Sequence, residues 1–310
     1  MNLSFRLATA LLAPAIACFS SLPVLAQQLH ADSPSRVIVA QALGAKPEPT
    51  REPFTLEEFF LRGFERANQG DYAGAIADFS EVVAIYPNFS EAYFNRGLAR
   101  DLKGDKMGAI ADYSQTLELN PKYARAYVNR GAVYLDGHKL RQALADFDQA
   151  IKLEPQSALA FNNRGNTFMA LGRHLDALKD YTQAIALSPS DATARFNRGN
   201  AFLALGQRAE AIADFDRALQ LNPDYAKAYT NRGLAYHLSG DGVMALRDWN
   251  RALRLNPNDA YAYTNRAKLQ QEQGKRGEAI ADLERAADIF MSQGNPDQRD
   301  RILQSIQALR

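Results

Sequence analysis

The hydrophobic positions of the chain recur at a fixed step of 34 residues from residue 56 onward. Each step holds a small residue, an alanine twelve residues later and a bulky apolar residue four residues after the alanine. Because small side chains let two helices approach closely where their axes cross, each step predicts a packed pair of antiparallel helices. The small residues are Gly63, Gly97, Gly131, Gly165, Gly199, Gly233 and Ala267.

The bulky residues lie on the same helical face as the alanines, so we expect them to fill the gaps between neighbouring repeats. They are Phe79, Tyr113, Phe147, Tyr181, Phe215, Trp249 and Leu283. A proline follows the second helix in the first six repeats and is expected to end it, because proline cannot donate a backbone hydrogen bond and restricts its predecessor. Asn-Arg-Gly marks five steps and Asn-Arg-Ala a sixth, which gives seven repeats when the divergent first one is counted.

A 34-residue unit with this spacing of glycine, alanine, aromatic residue and proline resembles the tetratricopeptide repeat. The resemblance implies an all-α fold, a right-handed superhelical solenoid of seven antiparallel helix pairs followed by a C-terminal capping helix. The expected boundaries are a repeat region at 54–293 and a cap at 294–310. The repeats are 56–89, 90–123, 124–157, 158–191, 192–225, 226–259 and 260–293.

The amino-terminal segment has the pattern of a secretory signal. Arg6 precedes an apolar stretch that Pro14 interrupts, and the small-residue pattern ending at Ala26 predicts cleavage there. The stretch is shorter than the ~20 residues needed to span a bilayer, so we expect no membrane span. Cys18 leaves a lipid anchor as a second interpretation. The proline-containing residues 27–53 are predicted to be a flexible linker, and the signal predicts a periplasmic, secreted or, in a cyanobacterium, thylakoid-lumenal protein.

Charge and composition disfavour several classes of function. The chain has 36 basic and 35 acidic side chains and no basic run, so the electrostatic footprint of a nucleic-acid binder is missing. The four histidines fall at unrelated repeat positions without metal-ligand spacing, and the sequence contains no phosphate loop. We therefore expect a protein that is not an enzyme and has no cofactor.

Every repeat contains an arginine and, sixteen residues later, an aspartate. A guanidinium matched by a carboxylate in every copy predicts an internal brace between the two helices rather than an anion-binding row. The pairs are Arg62 and Asp78, Arg96 and Asp112, Arg130 and Asp146, Arg164 and Asp180, Arg198 and Asp214, Arg232 and Asp248, and Arg266 and Asp282.

An asparagine occupies one position of the first helix in six successive repeats, although asparagine is a poor helix former. The residues are Asn95, Asn129, Asn163, Asn197, Asn231 and Asn265. This row is similar to that of the repeat domain of O-linked N-acetylglucosamine transferase, where such asparagines hold the backbone of an extended peptide. The resemblance implies a protein or peptide ligand in extended conformation. The alternative is that each asparagine bonds to a neighbouring repeat and only fixes the stacking.

Variable residues flank the asparagine row, as expected of a groove that combines backbone binding with side-chain selection. The candidate groove residues beside the row are Phe94, Phe196, Asn166, Asn200 and Lys227. Asn166, Asn197 and Lys227 match three positions of the carboxylate clamp of chaperone adaptors. Because Asn162 and Asn231 replace two of its cations, we expect no clamp. Two other functions stay open: a self-associating structural scaffold, and a regulatory partner that docks a separate enzyme. The oligomeric state is not predicted.

Overall fold

The computed structural model describes residues 55–310, and every regular element in this range is an α-helix. The predicted signal segment with Cys18, and the predicted linker up to residue 53, lie outside the described residues. The chain divides into two compact units at Lys139 and Leu140, which separates the two helices of repeat 3. Repeats are numbered 1 to 7 from residue 56.

The N-terminal unit contains five helices, of which α1, α3 and α5 are first helices of repeats and α2 and α4 are second helices. They are α1 (Leu56–Asn68), α2 (Tyr72–Ile85), α3 (Ser90–Lys103), α4 (Lys106–Leu119) and α5 (Ala124–Asp136). Each helix packs on the next one in the chain, and α3 also contacts α5 directly.

The C-terminal unit contains ten helices. The even-numbered helices from α6 to α14 are second helices of repeats, the odd-numbered helices from α7 to α13 are first helices, and α15 is the capping helix. They are α6 (Leu140–Leu153), α7 (Ala158–Ala170), α8 (His174–Leu187), α9 (Ala192–Ala204), α10 (Arg208–Leu221), α11 (Ala226–Leu238), α12 (Gly242–Leu255), α13 (Ala260–Glu272), α14 (Arg276–Ser292) and α15 (Pro296–Leu309). Consecutive first helices of this unit contact each other. The second helices within residues 140–310 chiefly contact the first helices that precede and follow them in the chain.

The small residues and the bulky residues meet inside each helix pair. A Cβ atom built on Gly199 would lie 2.7 Å from Phe215 Cε1, and one on Gly165 would lie 2.7 Å from Tyr181 Cε1. Phe215 also belongs to a core cluster with Ala235 of the next repeat. The bulky ring therefore packs within its own repeat and toward its neighbour, and its size requires the glycine that it faces.

Local sequence signals set the helix ends. Asp241 accepts a hydrogen bond from the backbone N–H of Met244 at the start of α12, as an N-cap does. The turn inside each repeat has a residue with positive φ, which is glycine in repeats 1, 2, 4, 5, 6 and 7. In repeat 3 the residue is His138, with φ of 55°, a conformation that costs a side chain more than it costs glycine.

The last helix covers the apolar end of repeat 7, as the sequence predicts of a cap. Ile302 and Ile306 are buried in one cluster with Phe290 and Leu283. The terminal residue Arg310 donates through Nη2 to Glu284 Oε1 at 2.7 Å. Burial of these apolar groups keeps the end of the stack out of water.

Candidate functional site: the amide seam of the first helices

Within each unit the asparagines of the row lie on the first helices, where consecutive first helices meet. In the C-terminal unit, Asn197 Nδ2 donates to Asn162 Oδ1 of the preceding repeat at 3.0 Å. Asn231 Nδ2 donates to Asn200 Oδ1 of its preceding repeat at 2.7 Å. We call the asparagine side chains of α7, α9, α11 and α13 the amide seam; it consists of Asn162, Asn163, Asn166, Asn197, Asn200, Asn231 and Asn265.

Two amides of the row therefore link neighbouring repeats, as the stacking interpretation expects. Others do not. The side chains of Asn163 and Asn265 make no hydrogen bond with any described residue, and both are partly exposed. Contacts between neighbouring repeats thus use one N–H donor of Asn197 and one of Asn231. They use no polar atom of the Asn163 and Asn265 side chains.

Hydrogen bonds within the protein fix the orientation of the side-chain amides of Asn162, Asn166 and Asn200. Tyr181 Oη donates to Asn166 Oδ1 at 2.8 Å. Burial raises the pKa of the Tyr181 hydroxyl well above its usual range, so this group remains a donor. The Oδ1 atoms of Asn162, Asn166 and Asn200 are thus occupied, which leaves their Nδ2 groups for other acceptors.

In the N-terminal unit the corresponding asparagines are more deeply buried. Asn95 Nδ2 donates to Glu91 O, one turn earlier in the same helix, at 2.7 Å. Asn129 is only 7% exposed, yet its side chain makes no hydrogen bond with the described residues. The donors and the acceptor of the Asn129 amide are therefore unused within the described residues, and they can bind a polar group that reaches them.

The flanking groove residues differ in accessibility. Phe94 is 1% exposed because Tyr123 stacks on its ring at 4.9 Å and the Arg125 guanidinium covers it at 5.0 Å. It belongs to the core rather than to a ligand-accessible surface. Phe196 is half-buried against Phe215 and Tyr225. Lys227 is exposed at the start of α11.

The arginine and aspartate pairs form two parallel hydrogen bonds within each repeat of a single unit. Arg232 donates to Asp248 through Nε and Nη2, both at 2.7 Å, and Arg164 donates to Asp180 at 2.7 and 2.8 Å. The same geometry holds for Arg96 and Asp112, Arg198 and Asp214, Arg62 and Asp78, and Arg266 and Asp282. Arg130 and Asp146 belong to different units.

These arginines have a second partner that the repeat pattern did not predict. Arg232 Nη1 donates to Asp216 Oδ1 of the preceding repeat at 2.6 Å, and Arg164 Nη1 donates to Asp148 Oδ1 at 2.7 Å. The hydrogen bond with Asp180, against the opposing effect of burial, raises the pKa of the Arg164 guanidinium. In repeats 2 and 4 to 7 the arginine is thus a staple that joins its own helix pair to the preceding repeat.

The signal for this staple was present in the sequence. An oxygen-bearing side chain lies sixteen residues before each stapled arginine, the mirror image of the aspartate sixteen residues after it. These acceptors are Ser80, Ser114, Asp148, Thr182, Asp216 and Asn250.

The described residues contain no group of three or more histidine, cysteine, aspartate or glutamate side chains placed to hold a metal ion. Among residues 55–310 no helix combines the length and apolar character that crossing a membrane requires. The amide seam and the residues beside it can form hydrogen bonds through their amides and can make apolar contacts.

Comparison with protein-family models matches the repeated region. A model described as TPR repeat matches residues 102–137, 165–206 and 199–240. Two models described as tetratricopeptide repeat match residues 124–157 and 226–259, and residues 249–281. Together these matches cover more than half of the chain. The chain belongs to the tetratricopeptide repeat (TPR) family.

Solved structures agree with this family. A TPR protein from Parabacteroides merdae is 19% identical, covers 81% of this chain and 98% of its own, and has a TM-score of 0.67. PilF of Pseudomonas aeruginosa is 15% identical over 70% of this chain and 97% of its own, with a TM-score of 0.61. YrrB, described as a TPR protein with an unusual peptide-binding site, is 24% identical over 59% of this chain and 95% of its own, with a TM-score of 0.50.

These likenesses show the fold, and the predicted all-α TPR solenoid is confirmed. A search of curated proteins gave no match.

Proposed function

We propose that this TPR protein is an interaction scaffold that binds extended polypeptide segments along the asparagine row of its first helices. TPR solenoids present long surfaces made of parallel helices, and such surfaces suit partners that make many small contacts. The YrrB description as a peptide-binding TPR protein is in line with this class of function.

The main support for the proposal is that the Oδ1 atoms of the asparagine row are unused as hydrogen-bond acceptors. Among the described residues, none of the six Oδ1 atoms in the row accepts a hydrogen bond from the protein. Where an asparagine of the row bonds to the protein, it does so only through Nδ2. The row therefore offers unused acceptors, and the backbone N–H groups of an extended peptide are donors that recur along a line.

The spacing of acceptors and donors is compatible. Neighbouring helices pack ~8–10 Å apart, and an extended chain advances ~3.3 Å per residue, so one asparagine meets about every third peptide residue. Each hydrogen bond contributes about 0.5–1.5 kcal/mol, and ordering the peptide offsets part of the sum. The expected affinity is about 1–100 μM.

The seam of repeats 4 to 6 also indicates the type of peptide. The residues that flank Asn163, Asn197 and Asn231 on the same helical face are amides, threonine and apolar groups. The exception is Lys227, one turn before Asn231. We therefore expect the row to prefer uncharged segments over strongly acidic or basic ones.

A peptide-display selection tests the proposal. A random twelve-residue library is selected on the full chain, and the affinity of a selected peptide is measured by fluorescence anisotropy. The triple change of Asn163, Asn197 and Asn231 to alanine should weaken binding at least tenfold. The matched control changes Gln142, Gln149 and Gln183, exposed amides of second helices, to alanine and should leave the affinity unchanged. If the asparagine triple variant bound the peptide as tightly as the glutamine control variant, the row would be excluded as the binding site.

A single substitution separates ligand binding from stacking. Asn163→Ala removes no hydrogen bond of the described protein, and alanine is the better helix former, so thermal stability should stay equal or rise. The affinity for the selected peptide should fall by about two- to tenfold. Asn197→Ala should lower the affinity and also remove the link to Asn162. Unchanged affinity of the Asn163 variant would contradict peptide contact at that repeat.

The compartment is a further part of the proposal. We propose that the protein works outside the cytoplasm, on the strength of the signal pattern in residues 1–26. Mass spectrometry of the amino terminus of the protein purified from its native source tests this. A mature chain that begins at Gln27 supports export, and a chain that begins at Met1 contradicts it.

A further inference from the structure

One position of the second helix changes its residue type along the chain. It carries glutamine in repeats 2, 3 and 4 and arginine in repeats 5, 6 and 7. The glutamines are Gln115, Gln149 and Gln183, and the arginines are Arg217, Arg251 and Arg285, on α10, α12 and α14. We call these three arginines the arginine row. Arg217 and Arg285 are exposed, and the Arg251 side chain is 40% exposed.

Two further arginines of α12 lie next to the middle of the row. Arg247 comes four residues before Arg251 and Arg254 three residues after it, so all three share one face of the helix. Arg247 and Arg254 are exposed, and neither forms an ion pair or hydrogen bond with any described residue. Five guanidinium groups therefore occupy one outer surface of the C-terminal unit.

The arginine row makes few hydrogen bonds and ion pairs with the rest of the described protein. Arg285 has no hydrogen-bond or ion-pair partner among the described residues, and Arg217 donates only to Gln220 on its own helix, at 2.8 Å. Arg251 Nη2 lies 3.3 Å from Asp224 Oδ1, and the Asp224 side chain is 78% exposed, so water screens this pair. The row thus differs from the arginine staples, whose guanidinium groups each join two helices.

The carboxylates beside the row do not neutralise it. Asp216 and Glu284 already pair with Arg232 and Arg310, which are not part of this surface. Asp224 and Asp288, together with Glu210 and Glu278 two turns before Arg217 and Arg285, then remain for five arginines, and Asp288 forms no ion pair with the described residues. The surface keeps an excess of positive charge although the whole chain is nearly neutral.

We infer that the arginine row and its two neighbours on α12 bind an acidic polypeptide segment of a partner protein. A guanidinium binds a carboxylate through two parallel hydrogen bonds, the geometry that this chain already uses in its braces. Successive repeats lie about 10 Å apart, and an extended chain advances about 3.3 Å per residue. A glutamate or aspartate at every third residue therefore matches the row.

The residues of these helices favour a polypeptide over other polyanions. Binding of single-stranded nucleic acid and insertion at a membrane interface both use exposed aromatic or apolar side chains. The aromatic residues of the three helices, Phe215, Trp249 and Phe290, are buried in the core. The large apolar residues of the three helices that stay exposed are Val243 on α12 and Met291 at the end of α14. Charge is therefore the main property that this surface offers.

Fluorescence anisotropy of the full chain with a designed peptide tests the inference. The labelled probe is a twelve-residue peptide with glutamate at every third position and serine or glycine between, and its control has glutamine at the same positions. We expect a dissociation constant of about 10–100 μM for the glutamate peptide at about 50 mM sodium chloride and at least tenfold weaker binding at about 300 mM. The glutamine peptide should not bind.

The chain supplies the substitutions for the test. Arg217, Arg251 and Arg285 are changed together to glutamine, the residue that repeats 2 to 4 carry at this position, and the affinity should fall at least tenfold. The control changes Arg141, Arg208 and Arg276 to glutamine, three exposed arginines of second helices outside the row, with the same loss of charge. It should weaken binding less than twofold. Circular dichroism verifies that both variants are folded.

Three results would overturn the inference. One is the absence of binding to the glutamate peptide at low salt. Another is an equal loss in both triple variants, which would mean unspecific attraction to net charge. The third is a stronger affinity for vesicles of phosphatidylcholine and phosphatidylserine than for the peptide. The variant with Asn163, Asn197 and Asn231 changed to alanine should bind the glutamate peptide normally, which separates this test from that of the asparagine row.

Discussion

The arginine of Asn-Arg-Gly shows how one side chain specifies contacts in two directions. Arg232 uses Nε and Nη2 for the buried Asp248 of its own repeat and Nη1 for Asp216 of the preceding repeat. Its guanidinium also lies 5.3 Å from the centre of the Tyr229 ring. A planar group with five donors suits this geometry, whereas lysine would reach only one partner.

The two partners of Arg232 should differ in their contribution to stability. Asp248 is 1% exposed, so Arg232→Ala leaves a buried carboxylate without its cation and should cost about 3–5 kcal/mol. Asp216→Ala removes a carboxylate whose side chain is 44% exposed and should cost at most about 1 kcal/mol. Urea denaturation of both variants checks the order. Similar losses would contradict the assignment of the brace to Asp248.

At the scale of the helix pair, the glycine of the first helix and the bulky residue of the second act together. In repeats 1, 2, 4, 5 and 6 a Cβ atom on the glycine would lie within about 3 Å of an aromatic ring. Repeat 7 has Leu283 in place of the ring, and it has Ala267 in place of the glycine. The chain thus contains its own compensated variant of the pair.

Repeat 5 can be converted to the repeat 7 combination. Gly199→Ala should destabilise the protein by about 1–2 kcal/mol, because the new methyl group meets the Phe215 ring. Adding Phe215→Leu should make the double variant more stable than the sum of the two single losses predicts, by about 1 kcal/mol or more. Thermal and urea unfolding measure these values. If the stability losses of the two single variants added up to that of the double variant, direct contact between residue 199 and residue 215 would be contradicted as the cause.

Gly277→Ala is the matched control for that series. Gly277 lies in the first turn of α14, and a Cβ atom there would meet nothing within 4 Å. Its replacement should stabilise the protein by at most about 1 kcal/mol through helix propensity alone. A destabilised control would mean that the loss at Gly199 does not come from crowding.

At the scale of the whole molecule, the repeat period predicted the helix pairs, the capping helix and the asparagine positions. It could not predict which asparagines bond to one another. That depends on the neighbours Asn162 and Asn200, whose side chains supply the acceptors in only two repeats. Nor could it predict that Tyr123 and Arg125 bury Phe94, because Tyr123 ends repeat 2 and Arg125 lies in the first turn of α5, far from Phe94 in the chain.

The capping helix should be needed for the stability of repeat 7. Removal of residues 296–310 exposes the cluster that Ile302 and Ile306 cover, and burial of two such side chains contributes about 3–6 kcal/mol at most. Hydrogen exchange of α14 should then be much faster. Arg310→Ala removes only the exposed pair with Glu284 and should have little effect. Equal protection of α14 in the truncated chain would contradict the capping role.

The central claim is that asparagine oxygens of the first helices accept hydrogen bonds from the backbone of an extended peptide. It is tested most directly by replacing each amide of a selected peptide, one at a time, with an ester, which removes the N–H donor and keeps the chain length. We expect losses of affinity that recur about every third residue, each of which disappears when the facing asparagine is alanine. A flat profile, or losses that persist in the Asn163→Ala, Asn197→Ala and Asn231→Ala variants, would contradict it.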